Sequence, residues 1–318
     1  MRKRVLAASS GLLLFLLLSA VSFAQPLQIG VLQLVEHPAL DAARQGFIDR
    51  LSELGYEAKF DIQSAQNEMS IAVTIAQKFK SDRKDLVLAI ATPAAQAAVN
   101  VIDDIPILIT AVTDPVAAQL VDSIERPGGN LTGTSDLTPV RTQLELLTQI
   151  VPNARRVGVL YNSGEVNSVV QVQIARDAAR DLGLTLVEAT AATTAEVLQA
   201  AQSLVGRVDA IYVPTDNTVV AAIESVVLVS EQARLPLIAG EDQSVENGAL
   251  ATIGIDYYQL GRQTADIAHR VLQGEDPAEI SIEYQSEMTV VLNLGAARRI
   301  GLTIPEAVLA QAARIIED

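Results

Sequence analysis

The sequence predicts an α/β protein built as two similar lobes, each around a mainly parallel sheet. Three observations carry this. Apolar runs of four to seven residues alternate with segments of helical period, the pattern of βαβ units. Those runs end on polar or acidic residues, as in LQIGVLQL ahead of Glu36 and DAIYV ahead of Thr215-Asp216-Asn217. The order of features also repeats: Glu36 stands 19 residues before Gly55, and Glu165 stands 18 before Gly183, each pair bracketing a helical segment between strands.

In order along the chain, the first set has strands around 27–33, 57–62, 86–90 and 106–110, with helices around 38–54, 68–80 and 93–102. Gly55 and Gly183 fall where a left-handed residue stops a helix. Pro127-Gly128-Gly129-Asn130 makes a turn, and a short strand leads to Ser135-Asp136. The second set has strands around 155–161, 184–188, 209–213 and 236–239, with helices near 166–182, 194–204 and 217–232. DDIPILITAVTD in the first set matches ARLPLIAGED in the second: a Pro opens a strand that ends at an acid. A long helix near 257–273 then returns to the first lobe, and MTVVLNLGAARRIG goes back to the second. The expected division is residues 25–136 with 257–285 for one lobe, and 137–256 with 286–318 for the other. Several connecting segments imply a hinge.

The first 24 residues read as a secretory signal peptide: Arg2, Lys3 and Arg4, then the apolar Gly11–Ala20, then Ser22-Phe23-Ala24 with cleavage after Ala24. The apolar stretch is shorter than the roughly 20 residues of a membrane span. No Cys stands at the junction to take a lipid anchor, so no membrane insertion is expected after cleavage. The net charge of −15 becomes more negative once the basic leader is gone, which argues against nucleic acid and anionic lipid as partners. With no Cys and two His, a zinc or copper site is not expected, and neither are disulfides. There is no Gly-x-Ser-x-Gly elbow, no phosphate loop and no Gly-x-Gly-x-x-Gly after the first strand, so neither an enzyme nor a nucleotide cofactor is indicated. No Trp, five Phe and six Tyr leave few aromatic platforms for a sugar.

In open α/β sheets ligands bind outside the carboxyl ends of the strands. The candidate ligand residues at those ends are Glu36, Thr92, Pro93, Thr113, Asp114, Ser135, Asn162, Glu165, Asn167, Asp216, Asn217, Glu241 and Asp242. Thr92 as N-cap and Pro93 as first helical residue would leave free N–H groups for a carboxylate. Asp114 also reads as a cap, and His37 as a local structural hydrogen-bonder. With Asp136 the set is strongly acidic, and Arg141 is the only nearby cation in sequence. An ammonium-bearing ligand suits it, with Glu165 and Asp216 on the ammonium and Thr92 and Thr113 on the carboxylate.

The segments VEHPALDAARQGFIDRLSELGY, ATPAAQAA, TAVTDPVAA, RPGGNLTGTSD, YNSGEVNS, PTDN and NGALATIGIDYYQLG together resemble the extracytoplasmic substrate-binding proteins of ABC importers, in the group associated with tryptophan, tyrosine or phenylalanine uptake. The closing LNLGAARRIGLTIPEAVLAQA is similar to that group as well. The resemblance implies a type I periplasmic-binding-protein fold: two Rossmann-like lobes, three crossovers and hinge closure over the ligand. It also implies that the loops at the residues above, with Asp136, line the cleft. The expected role is a monomeric periplasmic receptor for an aromatic or branched aliphatic amino acid, working with a membrane permease and its ATPase. Alternatives are a periplasmic sensor subunit and a receptor for a sugar or purine-like ligand.

Overall fold

The computed structural model describes residues 25–285 and 288–317. The expected signal peptide lies outside them.

The first sheet is made from β1 (Leu27–Gln33), β2 (Ala58–Ser64), β3 (Leu86–Ile90), β4 (Ile107–Val112) and β5 (Leu131–Ser135), with α1 (Pro38–Glu53), α2 (Met69–Ser81) and α3 (Thr92–Val99) between them. The second set runs α4 (Val140–Ile150), β6 (Arg156–Tyr161), α5 (Val166–Leu182), β7 (Thr185–Thr190), α6 (Val197–Gln202) and β8 (Ala210–Val213). It continues through α7 (Asn217–Val220), α8 (Ile223–Ala233), β9 (Leu237–Ala239), α9 (Asp242–Glu246) and β10 (Ala251–Gly254). The chain then crosses back through α10 (Tyr257–Leu272) to β11 (Glu283–Tyr284). It ends in the second set with β12 (Thr289–Asn293), α11 (Leu294–Ile300), α12 (Glu306–Leu309) and β13 (Ala312–Ile316).

The strand orders are β11-β5-β4-β3-β1-β2 and β13-β12-β10-β9-β8-β6-β7. Every pairing is parallel except β10 with β12. This is the α/β architecture that the alternating pattern predicts. The central strands β3 and β4 are buried along their whole length, as expected of parallel strands covered on both faces. The chain passes between the sheets three times, from β5 to α4, from β10 to α10 and from β11 to β12.

Helix α10 belongs to the first sheet because of its spacing. Tyr257, Leu260, Gly261, Thr264, Ala265, Ala268 and Val271 make one buried stripe, capped by Asp256, whose side chain accepts from the Gln259 N–H. It packs on α1 without intervening side chains. A Cβ on Gly261 would lie 1.9 Å from the Ala43 carbonyl oxygen, and one on Gly46 2.0 Å from that of Tyr258. The Thr264 hydroxyl meets that of Thr134 on β5 at 2.7 Å, pinning the helix over the strand that leads into the first crossing.

Three expectations change. The helix expected over 217–232 is two helices, broken at Ala221-Ala222, where Ala222 leaves helical geometry (φ −124°, ψ 26°). Residues 140–150 and 312–316, which carried no expected element, form α4 and β13. Thr92 is not the cap of α3. Ala91 holds that position with φ 82° and ψ 153°, so the turn comes one residue early and Thr92 is already helical.

Candidate functional site

The two sheets face each other with the carboxyl ends of their strands, and a narrow cavity of about 10 Å³ lies between them. The strand orders arrange its walls. From the hinge outward, the first sheet contributes Asp136 after β5, Ala111 and Thr113 at β4, and His37 after β1. The second contributes Tyr257 past β10, Glu241 after β9, Thr215 to Asn217 after β8, and Asn167 near β6. Apolar contacts come from Ala39, Leu40 and Val220.

Five of the thirteen candidate ligand residues line this cavity, Thr113, Asn167, Asp216, Asn217 and Glu241, and so does Asp136, which the resemblance also placed in the cleft. The others lie around or away from it. Glu36 is exposed. Asp114 accepts from the N–H groups of Val116 and Ala117 and so caps the turn that follows β4, as its sequence suggested. Ser135 donates to the Thr113 carbonyl and accepts from the Leu137 N–H. Pro93 is half-buried in the first turn of α3, and Asn162 bridges Glu165 and Thr218. Asp242 faces a different groove behind the hinge. Arg141, the one cation expected nearby, pairs with Asp181 on the surface.

Glu165 is buried and its carboxylate is saturated. Oε1 accepts from Asn162 Nδ2 (3.4 Å), the Thr218 N–H (3.1 Å) and the Thr218 hydroxyl (2.8 Å). Oε2 accepts from Asn167 Nδ2 (3.0 Å), the Asn217 N–H (3.2 Å) and Asn217 Nδ2 (2.6 Å). It ties the start of α5 to the start of α7 and offers no lone pair to a ligand. Asp216 also serves the scaffold: Oδ2 accepts from the Asn162 N–H and the Ser168 hydroxyl, both at 2.6 Å, while Oδ1 caps α7 through the Val219 N–H at 2.7 Å. Burial, and then the charge of Glu165, raise its pKa.

Asp136 differs. It is 2% exposed, and its only side-chain partners are two hydroxyls, Thr113 at 2.8 Å and Tyr257 at 2.5 Å. Burial raises its pKa against those two bonds. Glu241 beside it accepts from the N–H groups of Gln243 and Ser244, and burial pushes its pKa up to about 7. No Lys or Arg lines the cavity. Among the described residues no group of three or more His, Cys, Asp or Glu could hold a metal ion.

The neutral groups complete the site. His37 caps α1 by accepting from the Leu40 N–H at Nδ1 (3.5 Å), and burial drops its pKa to about 4, so it is uncharged near neutrality. The Asn217 side chain stands against the His37 ring, and Thr92 Oγ1 and Asn167 Oδ1 are buried without hydrogen-bond partners among the described residues. The backbone is strained at the same strand ends: Ala91 (φ 82°) and Ala111 (φ 56°) both occupy left-handed geometry. Ala111 lies where the β4–β5 register slips between Ile109 and Val112. Strain of this kind, about 1–3 kcal/mol per residue, collects at ligand sites.

A larger groove, about 730 Å³, opens behind the hinge. Its charges are mostly paired with each other or with neighbours: Arg50 with Asp266, Arg262 with Glu53, and Arg314 with Glu246. The enclosed cavity between the strand ends is the candidate site.

Two α/β lobes with facing strand ends are the architecture of type I periplasmic binding proteins, and a solved Bacillus halodurans ABC transporter solute binding protein with bound myo-inositol and a glucose-galactose binding protein from Geobacillus stearothermophilus share the fold at 17% and 14% identity, with TM-scores of 0.63 and 0.62. Residues 28–316 match the family described as ABC transporter substrate binding protein, and the chain belongs to it. A tyrosine-binding protein of Clostridioides difficile (strain R20291) is 47% identical over 269 residues, covering 83% of this chain and 78% of that one. The structure of a Streptococcus pneumoniae ABC domain in complex with L-Trp has a TM-score of 0.88 at 37% identity, covering 92% of this chain and all of that one. The ligand-free, open structure of a substrate-binding protein with adhesive properties from Clostridium difficile is 43% identical and covers 92% and 99%, yet its TM-score is 0.69. The more similar sequence superposes less well, so the lobes here are arranged as in the complex and not as in the open form. The protein is the substrate-binding component of an ABC transporter, and such components are extracytoplasmic.

Proposed function

We propose that this chain captures an aromatic amino acid and delivers it to a membrane permease driven by a cytoplasmic ATPase, without chemical turnover. It would act as a monomer in the periplasm after cleavage of residues 1–24. Residues 25–136 with 257–285, and 137–256 with 286–318, would close as two bodies over the ligand, which favours the closed form by its differential affinity.

The observation that carries the reading is Asp136. A carboxylate this buried, held only by the Thr113 and Tyr257 hydroxyls, lacks the cation that burial of a charge calls for. The ligand ammonium supplies it, with Glu241 alongside. This moves the ammonium role away from Glu165, whose six donors leave nothing to offer. Thr113 spends its hydroxyl on Asp136, so of the two threonines expected on the ligand carboxylate only Thr92, outside the cavity's lining, keeps an unpartnered hydroxyl. The tyrosine and tryptophan named for the relatives support an aromatic side chain in the outer part of the cavity.

Calorimetry on mature protein, refolded to remove carried-over ligand, tests this. Aromatic amino acids should bind, and Asp136→Asn should weaken them at least about a hundredfold, as loss of one partner of a buried charge pair does. Unchanged affinity in that variant removes Asp136 from the site.

A further inference from the structure

We infer that the groove behind the hinge is a second binding site, for a small polar molecule carrying a primary ammonium, of the amino-alcohol type. This goes beyond the amino-acid reading above and does not depend on what the cleft holds.

The chain at the second crossing divides its side chains between two sites. Glu241 pairs in parallel with Ile255 just past the ends of β9 and β10. Side chains alternate along extended backbone, so Glu241 and Tyr257 turn to the cleft while Asp242, Gly254 and Asp256 turn to the groove. Asp242 is the residue there that lacks a partner. It is 7% exposed, and its Oδ1 is buried with nothing donating to it. A Cβ on Gly254 would lie 2.9 Å from that oxygen, so the bare glycine leaves it facing the groove and not a side chain. Its Oδ2 stands 3.8 Å from Arg314, whose guanidinium is held more closely by Glu246, at 2.8 Å. The other two cations of the lining are taken as well, Arg50 by Asp266 and Arg262 by Glu53. Burial pushes the Asp242 pKa up to about 7, against the pull of Arg314 and helped by the charges of Asp256 and Glu246. A buried carboxylate without a close cation carries a large desolvation penalty, which a bound cation relieves.

The rest of the groove fixes the kind of cation. Asp256 accepts from the Gln259 N–H through Oδ1 and lies near enough for its charge to act on Asp242. Gln285 adds a second buried oxygen, Oε1, without a partner. An ammonium presents three donors on one nitrogen, which suits convergent acceptors of this kind. A metal ion does not fit as well, because no three His, Cys, Asp or Glu gather among the described residues. The volume of about 730 Å³ is that of a small-molecule pocket. Beyond the acids its described lining is amide, hydroxyl and guanidinium, with Gly254 and Ala313 the only apolar members, so the body of the ligand is polar too. Gln259 and Thr289 carry side-chain groups that can bond its hydroxyl.

The test titrates ethanolamine into mature protein by calorimetry, with ethylene glycol as the uncharged counterpart. Ethanolamine should bind at least about tenfold more tightly than ethylene glycol, as a charge-assisted bond to a buried carboxylate implies. Asp136→Asn, which removes the acid of the cleft, should leave that affinity unchanged. Asp242→Asn keeps the shape of the side chain without its charge and should weaken ethanolamine by at least about tenfold. Asp256→Asn preserves the cap of α10, since Asn caps as well as Asp, and should weaken it a few-fold. Gly254→Ala keeps both acids but sets a methyl against Asp242 Oδ1, and should weaken it as Asp242→Asn does. Melting transitions identify the variants that fold. No ethanolamine binding by the wild type, or undiminished binding in whichever of Asp242→Asn and Gly254→Ala folds, overturns the groove site and leaves the amino-acid reading intact. Loss of ethanolamine in Asp136→Asn also overturns it, by placing the ammonium in the cleft. Failure of aromatic amino acids to bind overturns the amino-acid reading and leaves the groove site standing.

Discussion

The loops after β6 and after β5 each bury an acid at a strand end beside the same cavity, and the two acids do opposite things. Glu165 collects six donors from the second lobe alone, four of them from residues 217 and 218, more than fifty positions away in the chain. Asp136 collects two hydroxyls, one from β4 and one from the second crossing. The first carboxylate has its hydrogen-bonding capacity met within its own lobe, and in the proposed function the second takes its cation from the ligand. Donor count, not burial or position, separates the scaffold acid from the ligand acid.

The largest expected effect tests the scaffold side. Glu165→Ala leaves the donors of Asn162, Asn167, Asn217 and Thr218 unmet in the interior. It should cost at least about 3 kcal/mol of stability, seen in denaturant midpoints with and without ligand. Asp136→Asn should do the reverse, losing ligand while the ligand-free protein melts at or above the wild-type temperature, because a buried unpaired charge is gone. If Glu165→Ala folds normally and loses only ligand, the two roles are exchanged.

Acidity probes the cavity next. The folded pKa of Glu241 is about 7 against an ordinary 4.5. The folded protein thus holds that proton more tightly, and stability rises as pH falls from about 7 to 4.5, by roughly 3 kcal/mol at most. His37 opposes this, since a pKa lowered to about 4 makes the folded state lose stability as pH falls from 6.5. The Glu241 contribution is therefore read as the difference between wild type and Glu241→Gln in ligand-free melting between pH 8 and 5. Ligand affinity should move the other way and weaken below pH 7, as the carboxylate facing the ammonium is discharged.

A smaller effect lies between the lobes. Asn67 follows Gln66, both with positive φ (62° and 53°), and its Nδ2 reaches across to the Thr218 hydroxyl at 3.1 Å. That bond joins the first lobe to the Glu165 network, and opening of the cleft would break it. Asn67→Ala should weaken ligand by about 1 kcal/mol, a few-fold in Kd, with the melting of ligand-free protein nearly unchanged. Smallest of all, Ala111→Gly relieves left-handed strain and should stabilise the ligand-free protein by less than about 1 kcal/mol.

The sequence by itself determined the architecture. Apolar period and strand-end punctuation are local properties, so helices expected over 38–54 and 166–182 appear as Pro38–Glu53 and Val166–Leu182, and the glycines that end them are where the spacing put them. The family resemblance read from the sequence also held, with residues 28–316 matching that family. Which acid faces the ligand was decided only in three dimensions. Glu165 stands in a polar loop that looks ready for a ligand, yet its lone pairs go to residues that fold in from after β8. Tyr257, 121 positions from Asp136, completes the ligand acid from a different crossing. The free acceptor on Asn167 likewise needed two partners distant from each other in the chain. Hydrogen-bond capacity is spent between segments that meet only on folding, so the residues left unspent, which are the ones a ligand can use, cannot be counted along the chain.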